Sequence, residues 1–476
     1  MAIPNRQTLS RSLKQLRRTW IDVGQTARSR ITGTVRPDLP VEDHDLIRRQ
    51  IDGCLSDSGG AALARARAAN LGGVYLGLNK EGRSNFLQLL ARDYGVDQKA
   101  LQDAVEKWLD STKRPAEVTD TNRADLAAVE ALRTTLLSPR IRLLTRFNEL
   151  PEGVKFLVDM RAELISLKGQ DAELRAFDRE FQGLLASWFD VGFLELRRIT
   201  WDAPAALLER LAGHEAVHAI RSWQDIKHRL AAGDRRCYAF IHPQMPNDPL
   251  IFVWVALTQG LSDKIQVLLK IENSEVDLEE ADTAVFYSIS ATQPGLDGVG
   301  FGSFLIKRVV DRLSRDHKQL KMFSTLSPIP GFRNWLEHQL TALRSNSEVD
   351  PKILSSLHEI NQEGAERIFS DRSWIRDEVS TTKLRQPLSA LCAHYVVHEK
   401  RGLSAHDRVA NFHLSNGANV ERLNWLGDVS KKGQSESACL MINYRYRQKE
   451  IESNHENYHT DGTISCSKAV NALVQR

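Results

Sequence analysis

From the start of the chain to about residue 192, apolar side chains recur at helical spacing. The clearest case opens at Pro151 and sets Val154, Leu157, Met160, Leu164 and Leu167 along one face. Gly59-Gly60, Gly72-Gly73 and Pro115 separate other segments of similar length, and no fixed-period repeat points to a solenoid. After Trp201-Asp202-Ala203-Pro204 the period changes. Tyr238–His242, Leu250–Leu257, Ile265–Ile271 and Val285–Ser290 are short runs rich in Val, Ile, Phe and Tyr, and they predict consecutive strands of a mostly antiparallel sheet. A helix is predicted over Gly302–Asp316, then a strand over Lys321–Leu326 and a rigid turn at Ser327-Pro328-Ile329-Pro330-Gly331. Helical periodicity returns between about 340 and 400, and a mixed section from Val409 contains a strand over Cys439–Arg447. The polar last twenty-five residues are expected to fray. The pattern therefore predicts an all-α helical bundle over 1–192, followed by an α/β domain over 193–476 with a helical insertion at about 340–400.

Charge narrows the partners. Sixty-four basic against 61 acidic side chains leave a net +3, too small for a whole-chain nucleic-acid footprint, although a local basic patch can still meet a small anion. Cys54, Cys237, Cys392, Cys439 and Cys466 are scattered, odd in number and without a CxxC pair. That spacing argues against a disulfide framework or zinc ribbon and for a reducing, cytoplasmic setting. The longest apolar run, Pro249–Leu257, is too short for a membrane span and reads as a buried strand. The basic first thirty residues raise the question of a transit peptide. Their plain reading is an exposed amphipathic helix with Leu9, Leu13, Leu16 and Trp20 on one stripe. The ending Val474-Gln475-Arg476 matches no peroxisomal or reticulum retention signal. The helical half gathers no His, Cys or carboxylates at ligand spacing, so its expected work is packing and assembly.

Four stretches carry candidate chemistry. His214-Glu215-Ala216-Val217-His218 spells HExxH, the zinc-peptidase pattern. Leu207, Leu211, His214 and His218 also form a helical stripe, however, which predicts packing instead, and Arg221 and Gln224 break the longer metal motif. The turn Asp297-Gly298-Val299-Gly300-Phe301-Gly302-Ser303 lies between a strand and a helix. Its glycines let backbone N–H groups approach a phosphate beside a helix start, and Lys307, Arg308, Arg312 and Arg315 follow on that helix. It lacks the third glycine of a Rossmann fingerprint and the Gly-Lys of a P-loop. It is closer to the pyrophosphate loop of acyl-CoA N-acyltransferases; a plain tight turn is the alternative. Ser327 sits before a proline at a strand end, which fixes the backbone that aims its hydroxyl, but without a GxSxG elbow. A structural proline turn is the alternative there. His413, in Asn411-Phe412-His413-Leu414, is either a packed structural histidine or a proton carrier near neutrality.

Taken together, these stretches resemble the malonyl-CoA decarboxylase family. The resemblance rests on Ile199-Thr200-Trp201, Glu215-Ala216-Val217-His218, Arg236-Cys237-Tyr238, Phe286-Tyr287-Ser288-Ile289-Ser290, Phe304 to Val310, Leu326 to Phe332 (LSPIPGF), Asn411-Phe412-His413-Leu414 and Asn443-Tyr444-Arg445-Tyr446, in order along the chain. It implies a catalytic domain of the acyl-CoA N-acyltransferase type and a Ser/His pair on Ser327 and His413. It also implies a malonyl-CoA loop on Asp297, Gly298, Val299, Gly300, Phe301, Gly302 and Ser303, with Ser288 and Tyr446 near the acyl group. More loosely, the helical half resembles the family's oligomerisation domain, implying a homo-oligomer, a dimer or tetramer. Gly300 stands where animal members carry Glu, and Ala205 where they carry a cysteine for an interchain disulfide, so neither role transfers.

The chemistry those residues would serve is self-sufficient. Loss of CO2 from a malonyl thioester leaves an enolate that the thioester carbonyl delocalises, so no biotin, ATP or metal cofactor is expected. The chain must hold the carboxylate, stabilise the oxyanion and protonate carbon, giving acetyl-CoA. An N-acyltransferase built on the same CoA cradle is the alternative reading.

Overall fold

A computed structural model describes residues 16–24, 35–56, 60–112, 120–271, 278–300, 302–362, 368, 370 and 372–475. The helical region comes first. Its helix Gly153–Leu167 buries Val154, Leu157, Met160 and Leu164 on the expected face. The following helix Ala172–Trp188 starts at Asp171, whose carboxylate accepts the Glu173 and Leu174 N–H groups and so satisfies two donors of the first turn. Residues 16–24 are helical but not exposed along their stripe: Leu16 and Trp20 are buried, and the Trp20 indole donates to the Pro151 carbonyl at 2.9 Å. Leu9 and Leu13 lie outside the described residues.

The second region is built on a mixed sheet. Its strands are β1 (Glu195–Ile199), β2 (Arg235–Ile241), β3 (Pro249–Thr258), β4 (Thr283–Ala291) and β5 (Met322–Thr325). After a two-residue hairpin, β6 (Lys400–Arg401) and β7 (Ser404–Ala405), come β8 (Asn419–Asn424) and β9 (Met441–Arg445). The main sheet runs β1-β2-β3-β4-β5-β9-β8, antiparallel except where β4 pairs with β5. Successive side chains point to opposite faces. Tyr238, Phe240, Val253, Val255 and Phe286 therefore join the large core shared with the N-terminal helices, while Cys237, Ala239, Phe252, Trp254 and Val285 join a second core under the helices Ala205–His214 and Trp223–Ala231. Both faces of β3 are covered, which is why its sequence is continuously apolar rather than alternating.

Three expectations are corrected. Ile265–Leu269 forms a short helix, not a strand: Ile265 and Leu268 are buried three residues apart while Val267 is exposed. Strands β1 and β8 were not anticipated; each carries charged residues among its apolar ones, as suits the two edges of the sheet. Residues 452–475 do not fray, because helices Ile451–Asp461 and Lys468–Val474 anchor themselves through buried Tyr458 and Val470. The 340–400 region is helical as expected, through Phe332–Arg344, Leu354–Gln362 and Glu378–His398. No helix among the described residues is long and apolar enough to cross a membrane.

Candidate active site

The sheet opens at one place. β4 pairs with β5 over Thr283–Phe286 and Met322–Thr325, and the Leu326 N–H still reaches the Phe286 carbonyl at 3.0 Å. Beyond that rung β4 continues along β3 to Ala291 but no longer pairs with β5. A bulge helps: Trp254 faces Ser288 and Val255 faces Phe286, so Tyr287 is the extra residue, and such an insertion bends its strand. Ser288 and Ser327 each lie two residues past the last paired rung, one on either side of the opening.

Ser327 is fixed from both directions. Its N–H donates to the Ile442 carbonyl at 2.9 Å and its carbonyl accepts the Ile442 N–H at 3.0 Å, while Pro328 restrains the chain that follows. His413 comes from the helix Arg408–Ser415. The cap of that helix, Asp407, accepts the Val409 and Ala410 N–H groups on one oxygen and the Gly331 N–H on the other. One buried carboxylate thus ties the helix carrying His413 to the turn carrying Ser327.

The two side chains meet: Ser327 Oγ lies 3.1 Å from His413 Nε2, and His413 Nδ1 lies 2.8 Å from the Tyr446 hydroxyl. Tyr444 stacks on the imidazole at 4.7 Å between ring centroids. Ser327 also donates to Thr325 Oγ1 at 2.9 Å. With its one proton committed there, Ser327 Oγ must accept from Nε2–H, and Nδ1 must accept from the Tyr446 O–H. The network therefore assigns the Nε2–H tautomer and a directional chain, Tyr446 to His413 to Ser327 to Thr325. Burial alone pushes the His413 pKa down to about 3, and burial holds Tyr446 and Tyr444 well above the ordinary phenol value. The third member is a phenol rather than a carboxylate, and nothing in the chain favours an imidazolium. All its groups are neutral at pH 7.

Ser288 belongs to a separate cluster. It donates to Glu215 Oε1 at 2.7 Å, the Trp254 indole donates to Oε2 at 2.8 Å, and the Val217 and His218 N–H groups also reach Oε1. The helix Ala205–His214 ends at His214, so the two histidines of HExxH do not share a helix face, and the predicted stripe stops one residue before Glu215. Among the described residues no group of three or more His, Cys, Asp or Glu side chains gathers at metal-holding distance. Glu215 instead serves as an acceptor that orients Ser288.

The glycine turn is held by the helical region. Arg161 Nη1 donates to the Gly295 carbonyl at 2.8 Å and the Asp297 carbonyl at 2.9 Å, and Gln182 donates to the Gly298 carbonyl at 2.8 Å. Gly298 has φ +77, a conformation that favours glycine. Gly295 sits where a Cβ would come 1.8 Å from the Val158 carbonyl oxygen. Val299 and Gly300 lie on the same turn, and the helix Gly302–Asp316 has the predicted bounds. Phe301 and the Ser303 side chain lie outside the described residues. Of the basic residues on the helix, Lys307 pairs with Glu452 at 3.0 Å and Arg312 with Asp316 at 2.7 Å.

Sequence reasoning missed Thr325 and Arg161 and named Glu215 only within HExxH and the family strings, not as the partner of Ser288. The signal for Arg161 was present: it falls four residues after Leu157 and three before Leu164, a charge on the apolar stripe of its helix.

Comparison with known proteins places the chain in a family. Residues 192–476 match the family model for the malonyl-CoA decarboxylase C-terminal domain, and residues 94–189 match that for the N-terminal domain. The mitochondrial malonyl-CoA decarboxylase of Anser anser anser is 37% identical over 429 residues, covering 87% of this chain and 84% of that protein. The Mus musculus protein of the same name is 38% identical over 433 residues, covering 87% and 86%. Crystal structures of malonyl-CoA decarboxylase from Agrobacterium vitis and Rhodopseudomonas palustris superpose with TM-scores of 0.80 and 0.79, at 37% and 36% identity. Each covers 90% of this chain and 99% of its own.

Proposed function

The chain belongs to the malonyl-CoA decarboxylase family, and from that membership we propose that Ser327, His413 and Tyr446 form the proton relay of its decarboxylation. The reaction converts malonyl-CoA to acetyl-CoA and CO2. When the bond to the carboxylate breaks, its electron pair stays on the acyl carbon as a thioester enolate. The Ser327 hydroxyl turns from Thr325 to the substrate and delivers its proton to that carbon. Ser327 Oγ takes the Nε2 proton of His413, and Nδ1 takes the proton of Tyr446; once the product leaves the opening, the Nδ1 proton returns to Tyr446 and a solvent proton refills Nε2, which restores the resting tautomer. The balance closes with one proton consumed per CO2 released. A thioester enolate is basic enough to draw a proton along a chain of neutral donors, and the same buried donors stabilise its developing charge.

Ser288, oriented by Glu215, contacts the acyl group from the other side of the opening. The backbone of Asp297 to Ser303 holds the pyrophosphate at the start of the helix Gly302–Asp316. The bulged β4, its separation from β5 and the glycine turn entering a helix support a catalytic domain of the acyl-CoA N-acyltransferase type over 193–476, with a helical insertion at about 340–400. Residues 1–192 form the oligomerisation domain of a cytoplasmic homo-oligomer. Leu126, Val129 and Leu136 support that reading, since they are exposed along one side of the helix Asp120–Leu136. The relatives named above are decarboxylases, so an N-acyltransferase is not favoured.

The observation that carries the mechanism is the 3.1 Å contact between Ser327 and a buried, neutral His413. Supplied with malonyl-CoA and no amine, ATP, biotin or metal, the protein should release CO2 with stoichiometric acetyl-CoA. His413→Ala should lose turnover far more than malonyl-CoA binding, and unchanged turnover would sink the assignment.

A further inference from the structure

We propose that Arg161, a residue of the helical region, is a positioning residue for CoA: it aims the backbone N–H of Gly298 at the pyrophosphate. The proposal rests on the reading of Asp297 to Ser303 as the pyrophosphate loop.

Arg161 is 1% exposed, and its buried pair with Asp178 uses only one side of the guanidinium. Nε meets Asp178 at 3.0 Å, and Lys168 neutralises the other Asp178 oxygen at 2.7 Å. The remaining side of the fork reaches across to β4's outgoing loop, where a single nitrogen, Nη1, holds the carbonyls of Gly295 and Asp297. In a trans peptide the C=O and N–H point in opposite directions. Fixing the Asp297 carbonyl towards the helical region therefore turns the N–H of Gly298 away from it. Among the described residues that N–H meets no protein acceptor, whereas the N–H groups of Leu296, Asp297 and Val299 close local turns onto Gln293, Pro294 and Leu296. Gln182, on the next helix, holds the same loop one peptide later, at the Gly298 carbonyl. A bare glycine loop would sample many conformations and lose that freedom on binding CoA. Here two side chains of another region have already removed it. The helical region thus contributes to substrate affinity through the loop, in addition to any part in assembly.

The test compares malonyl-CoA with malonyl-pantetheine, the same thioester without the pyrophosphate and nucleotide. Arg161→Lys keeps a charge opposite Asp178 but gives up the fork. It should raise KM for malonyl-CoA about tenfold, as expected for losing hydrogen bonds from a charged donor. Its kcat should stay within about threefold, and its KM for malonyl-pantetheine should be unchanged. Gln182→Leu leaves the buried ion pair intact and should shift the malonyl-CoA KM in the same direction by a smaller factor, so it reads the same ratio where Arg161→Lys does not fold. An equal rise in KM for both thioesters, or no rise for either, overturns the positioning role. A wild-type protein that binds both thioesters equally overturns instead the reading of the loop as the pyrophosphate site.

Discussion

Tyr446→Phe removes a single oxygen atom, 2.8 Å from His413 Nδ1, and leaves the ring in place. The immediate cost is an imidazole nitrogen buried without a donor, about 1–3 kcal/mol. The larger effect is on the tautomer. With the phenol gone, nothing holds the proton on Nε2. Moving it to Nδ1 makes Nε2 an acceptor, so that Ser327 must donate to it and abandon Thr325. The relay then points the wrong way, with Ser327 giving its proton to histidine rather than to carbon. Losing one hydrogen bond to a reacting group sets a floor of about tenfold on kcat, and a wrongly held catalytic tautomer, which costs serine proteases about 10⁴, sets a ceiling. We expect about 100-fold, equivalent to roughly 3 kcal/mol on the barrier. KM should stay within about threefold, because the loop and Ser288 are untouched. The assay is steady-state release of CO2 from malonyl-CoA, with circular dichroism to confirm the fold. A kcat within threefold of wild type would refute the relay and leave Tyr446 as a packing residue.

Ser327→Ala should reduce kcat at least about 100-fold while calorimetric affinity for malonyl-CoA changes little, since it removes the group next to carbon and no loop contact. Gly295→Ala places a methyl 1.8 Å from the Val158 carbonyl, so the loop must leave the helical region. Its Tm should fall by the equivalent of about 1–3 kcal/mol and its KM for malonyl-CoA should rise. Acid should also destabilise the protein through His413, whose pKa falls from 6.5 to about 3 on folding because of burial. Between those values the unfolded chain binds a proton that the folded chain refuses. The stabilisation is therefore complete above pH 6.5 and is lost as pH falls, by about 2 kcal/mol at pH 5. Scanning fluorimetry at pH 7.5 and pH 5 should show a smaller drop in Tm for His413→Gln than for wild type; equal drops would count against a neutral buried imidazole.

Much of this fold is legible in the chain because burial follows simple periods. The helical stripe after Pro151, the runs that become β2, β3 and β4, and the bounds of the helix Gly302–Asp316 all follow from apolar spacing. Ile265–Leu269 was misread because five residues of Ile, Val and Leu satisfy both periods, and tertiary contacts decide between them. β1 and β8 escaped because edge strands carry polar residues among the apolar ones. Ser327, His413 and Tyr446 were singled out, but their joining was not legible: residues 86 and 33 positions apart meet through the Ser327–Ile442 bridge and the Asp407 cap. Long-range contacts leave no periodic trace. HExxH was the opposite case, a strong local pattern whose helix stops before the second histidine.

The sheet is effectively two leaves stitched by four rungs between β4 and β5. One leaf, β1 to β4, feeds the glycine turn that the N-terminal helices grip. The other, β5 with β9 and β8, carries the proton chain. In the proposed mechanism a thioester spans the opening and touches both leaves, which would make the ligand itself a cross-tie between two halves of the sheet. Reactivity then depends on the distance between the leaves. A substitution far out in either core can slow turnover without touching a reacting atom, by letting the seam widen.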